Sequence, residues 1–63
     1  MKMKFEAKMK MKFEAVIGDE RHIGDLESIV TLVEPGLRQH MYLVDLLIGE
    51  KIKLNGYVIE RLS

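Results

Sequence analysis

Asp19, Glu20, His22 and Asp25 bring carboxylates and an imidazole together at the spacing D-x-x-H-x-x-D. Such oxygen and nitrogen donors suit zinc or manganese. Nothing else in the pattern fixes a coordination geometry, so a charged, solvated loop explains the segment and no metal ligand is assigned. Nucleophilic catalysis has less to build on. Ser28, Thr31 and Ser63 are the hydroxyls outside the tyrosines, and none lies in a G-x-S-x-G turn. Cysteine is absent, which removes thiolate chemistry and disulfides. The glycines are isolated and form no phosphate-cradling loop. The expectation is therefore a protein with no catalytic residues and no cofactor.

Arg38, Gln39 and His40 form the other polar cluster next to apolar residues. If residues 26–34 and 37–48 are both helices, Pro35-Gly36 joins them and a hairpin follows. In outline only, that order resembles a winged helix-turn-helix. Arg38, Gln39 and His40 would then open the reading helix. Lys51, Lys53 and Arg61 would lie on the wing, and the N-terminal lysines would meet phosphates. The charge balance opposes this reading. The chain has ten Lys+Arg and ten Asp+Glu, and a nucleic-acid site normally carries a basic footprint. Phe5 and Phe13 also sit opposite the lysines of their segment, as core residues do, rather than beside them as base-stacking residues would.

The elements that must position these residues start with MKMKFEAKMKMKFEAVI. Every odd position from Met1 to Ile17 is apolar, and every even position from Lys2 to Glu14 is charged. A period of two predicts a β-strand with one buried and one solvated face. The segment is an eight-residue tandem copy, MKMKFEAK followed by MKMKFEAV. Residues 1–8 thus read as a duplicated or appended start, or as part of one very long strand. As one strand, residues 1–17 would span roughly 56 Å, against a radius of gyration of about 11 Å for a globule of this length. Such a strand must bend, fray or extend onto another subunit. A slip of eight residues restores nearly every side chain, so register is weakly set. Residues 1–12 carry five lysines and one glutamate, while the rest of the chain is acidic.

Further on, GDERHIGD (18–25) has the composition of a loop. In 26–34, Leu26, Ile29, Val30 and Val33 follow helical spacing, with Asp25 as N-cap and Pro35-Gly36 as the stop. Its β-branched residues leave strand as the competitor. Residues 37–48 satisfy both periods, and helix is the preferred reading. Residues 51–62 are a hairpin about Asn55-Gly56, because a type I′ turn needs positive φ at both central residues.

The expected fold is one α+β domain over residues 1–63. An antiparallel sheet, built from the N-terminal strand and the C-terminal hairpin, packs on one or two short helices. An all-β small barrel or meander is the alternative. A 63-residue chain without disulfides or metal needs another source of stability. Self-association is the one left, with Met1, Met3, Phe5, Met9, Met11 and Phe13 as the intersubunit surface. The functional expectation is a small cytoplasmic, non-enzymatic protein-binding or regulatory module. It partners itself as a homodimer or larger, through strand edges, and contacts other proteins. No apolar run approaches the roughly 18 residues of a membrane span. The alternative is a nucleic-acid-binding regulator using Arg38, Gln39, His40, Lys51 and Lys53.

Overall fold

The computed structural model describes residues 10–63. Its elements are β1 (Lys12–Ile17), β2 (Glu20–Asp25), α1 (Leu26–Val33), α2 (Leu37–Val44), β3 (Lys51–Leu54) and β4 (Tyr57–Arg61). The strands form one antiparallel sheet in the order β2-β1-β4-β3. The fold is therefore α+β: two β-hairpins side by side, with two helices between them in sequence.

β1 lies in the interior of the sheet, with β2 on one side and β4 on the other. Its odd residues do what their spacing requires. Phe13 and Ala15, with Met11 just before the strand, are buried and join Ile29, Val33, Leu43, Leu46, Leu54 and Ile59 in the core. Ala15 faces Ile59 on β4, and Ile59 faces Ile52 on β3. The helices cover this face of the sheet. Lys12, Glu14 and Val16 point to the other face, which they share with Arg21 and Ile23 of β2 and Val58 and Glu60 of β4. Every buried residue among those described is apolar, and no buried polar side-chain atom lacks a partner.

The segment 18–25 corrects the loop expectation. Only Gly18 and Asp19 turn, and Glu20–Asp25 is a strand. Gly18 has φ +55° as the first central residue of the hairpin, the sign a type II′ turn needs there. Composition misled because β2 is an edge strand with few side chains to bury. The second hairpin matches expectation: Asn55 and Gly56 have φ +50° and +86°, the type I′ signature.

Both ambiguous segments are helical, although the second ends at Val44 rather than near Gly49. Asp25 caps α1, its Oδ1 accepting from the Ser28 N–H at 2.9 Å. That bond, reinforced by the Ser28 hydroxyl, holds the Asp25 carboxyl below the ordinary carboxylate range. Gly24 fits tightly just before it: a Cβ there would lie 3.0 Å from the Ser28 Cβ. At the other end, Glu34 takes a left-handed conformation (φ 53°, ψ 56°) and donates its N–H to the Val30 carbonyl. Such a conformation costs a side-chain-bearing residue about 1–2 kcal/mol. Asn55 helps offset it, because its Nδ2 donates to the carbonyls of Val33 (3.0 Å) and Glu34 (3.3 Å). The β3–β4 turn thus closes the C-terminus of α1.

After α2 the chain returns to the sheet through residues 45–50. Arg61 organises this return. Its Nη1 donates to the Leu46 carbonyl at 2.8 Å, while its backbone bonds Gly49 and Glu50. Gly49, at φ +89°, makes the reversal possible.

Candidate functional site

The residues able to do chemistry do not converge. Glu20 and His22 approach each other on β2, His22 Nε2 to Glu20 Oε2 at 3.3 Å. Asp19 sits in the turn, and Asp25 is engaged as the cap of α1. Among the described residues no three His, Cys, Asp or Glu side chains are grouped to hold a metal. No helix among them is long and apolar enough to cross a membrane.

The expected self-association residues divide. Met1, Met3, Phe5 and Met9 lie outside the described residues. Met11 and Phe13 are buried in this chain's own core, Phe13 completely. They support the helices and present no surface to a partner.

The residues expected to meet nucleic acid also separate. Arg38 is exposed on α2. Gln39 is occupied, its Oε1 accepting the Gly36 N–H at 2.9 Å and so closing the start of α2. His40 is half-buried. Lys51 and Lys53 are out of step with the inward Ile52 and Leu54, so they project from the face away from the helices. The sheet stands between Arg38 and the two lysines.

Among the described residues the sheet has two open edges, and their chemistry differs. In a two-residue hairpin the residues flanking the turn exchange both backbone hydrogen bonds, and this alternates along the ladder. For the first hairpin, Glu20, His22 and Gly24 bond inward to β1. The backbone groups of Arg21 and Ile23 therefore face outward. For the second, Leu54 and Ile52 bond inward to β4, and the bond from Arg61 N–H to the Glu50 carbonyl (3.1 Å) continues that series. The outward groups at β3 belong to Lys51 and Lys53.

Charged residues on an edge discourage addition of another strand, lysine above all. β3 is so guarded, and it is only four residues long. β2 has six residues. Its Arg21 is already paired with Glu14 of β1, Nε to Oε2 at 3.1 Å. Beside it Ile23 leaves 64% of its surface exposed. Arg21 and Ile23 are the site residues that sequence reasoning missed. The available signal was Gly18-Asp19, a hairpin-turn dipeptide directly after an apolar-alternating run.

The chain matches no family model, no curated protein and no solved structure.

Proposed function

We propose that this chain is a small non-enzymatic protein-binding module, regulatory in character, that self-associates through its β-strand edges. The observation that carries the reading is the β2 edge: a strand unpaired on its outer side among the described residues, whose outward backbone groups belong to Arg21, ion-paired within the chain, and to an exposed Ile23. An antiparallel copy paired about His22 sets Arg21 against Ile23 of the second chain. Each such pair exchanges backbone bonds, and the two isoleucines cover apolar surface on the same sheet face. An extended segment of another protein can use the same edge. A cysteine-free chain is at home in a reducing, cytoplasmic setting.

The nucleic-acid alternative needs Arg38, Gln39 and His40 on one surface with Lys51 and Lys53. Their placement on opposite sides of the sheet gives that reading no support.

Light scattering over a concentration series tests the proposal. The Ile23→Pro variant is the control, because it removes an outward N–H and leaves the bonds to β1 intact. Association of the unmodified chain beyond the mass that Ile23→Pro retains, with the variant still folded, is the expected result. A monomer at high micromolar concentration overturns it.

A further inference from the structure

α2 buries little of itself. Leu43 is its only fully buried side chain. Two residues along a helix differ by about 200° in direction, so Met41 points almost directly away from Leu43. Met41 is 56% exposed, Leu37 on the same side is 82% exposed, and Tyr42 flanks them. Leu47 and Ile48, just past the end of the helix, are also exposed. A monomer seldom leaves Leu37, Met41 and Tyr42 together in water on one helix face.

The charges around this face indicate what covers it. Arg38 and Asp45 are both exposed, and neither has an ion-pair partner among the described residues. They are seven residues apart, two turns, and so lie on one flank of α2. Met41 is the midpoint between Leu37 and Asp45. A two-fold axis beside Met41 therefore lays a second α2 antiparallel on the first. Arg38 of one chain then falls within about one helical rise of Asp45 of the other, roughly 1.5 Å along the axis. Symmetry makes the same contact at the opposite corner. Met41 meets its own copy at the centre, and Leu37 and Val44 fill one side.

We propose that the exposed face of α2 is a self-complementary surface that binds the α2 of a second copy, antiparallel, with Met41 central and paired Arg38–Asp45 contacts at both corners. This contact goes beyond the strand-edge reading and does not rest on it, since α2 and the outward groups of β2 are different surfaces.

Charge exchange tests the arrangement. In Arg38→Glu both corners become acidic, and in Asp45→Arg both become basic. With the β2 edge closed by Ile23→Pro, each variant alone is expected to be monomeric where Ile23→Pro by itself is a dimer. Mixed in equal amounts, they present an acid to a base at both corners. Sedimentation and native mass spectrometry should then find a mixed dimer with a dissociation constant on the order of tenfold below that of either variant alone. The advantage should shrink at high salt. A mixture of Glu27→Lys with Lys53→Glu carries the same net charges away from this face and should show no gain. Because Ile23→Pro removes only the β2 edge contact, this background reads the α2 contact separately from it. A monomeric Ile23→Pro chain, an Arg38→Glu and Asp45→Arg mixture no tighter than its components, or an equal gain in the control mixture overturns the proposal.

Discussion

The two hairpins have turns of the same length and different duties. The first, turned by Gly18-Asp19, runs from β2 straight into α1, and its last residue caps that helix through the Asp25–Ser28 bond. The second, turned by Asn55-Gly56, is remote in sequence but reaches the other end of α1 through Asn55. α1 is thereby held at both ends by side chains from the sheet, whereas α2 begins at Gly36 with its N–H donated to the helix's own Gln39. The contrast teaches where the fold is fixed and where it is left open. The helix tied by both hairpins lies over the core. The helix tied by neither carries the exposed apolar face.

The largest test removes what both hairpins share. Phe13 is fully buried on β1 and faces Arg61 on β4. Phe13→Ala should cost about 3–5 kcal/mol, comparable with the whole stability of a domain this small. A urea titration followed by circular dichroism should show a chain mostly unfolded before denaturant is added.

A middle-sized effect separates the hairpins. Asn55→Gly keeps the positive φ of the turn and removes the two bonds to α1. It should cost about 1 kcal/mol, with hydrogen exchange accelerating at the Glu34 amide. Gly18→Ala disturbs only the first turn, since a Cβ there meets nothing within 4 Å. It should cost about 1–2 kcal/mol through backbone strain and leave exchange at Glu34 relative to global unfolding unchanged.

The smallest effect lies at the other end of α1. The Asp25 carboxyl is held below its ordinary value by the Ser28 N–H and hydroxyl. A depressed folded-state pKa means that the capping contribution is complete above the unfolded-state value and lost as pH falls through the folded one. Acid titration of helical signal should therefore show early loosening of α1. Asp25→Asn, which keeps an accepting oxygen, should remove that pH dependence.

How much of this could be seen beforehand varies from element to element, for physical reasons. β1 was legible because its alternation reports a sheet face that really is buried, at Met11, Phe13 and Ala15. Asn55-Gly56 was legible because few dipeptides accept two positive φ values. β2 was not, because an edge strand buries too little to impose an alternation. α2 remained ambiguous because its exposed apolar residues satisfy a strand period as well as a helical one. Its end at Val44 was hidden too, since the chain leaves the helix to meet Arg61, fifteen residues away from Leu46 in sequence. The sites followed the same rule. Met11 and Phe13 were recognised as important and assigned to a partner, although the core claims them. Arg21 and Ile23 matter through backbone direction, which no residue type announces.

The seam between the hairpins has a consequence for connectivity. Lys12 donates its N–H to the Ser63 carbonyl, and Leu62 donates its N–H to the Lys12 carbonyl. The beginning of β1 and the segment after β4 are therefore neighbours, joined by backbone bonds. A short bridge between them, with a cut opened at the exposed Leu47-Ile48, would give the order β3, β4, β1, β2, α1, α2 and break no strand pairing. The sheet depends on which strands lie side by side, not on which hairpin leaves the ribosome first.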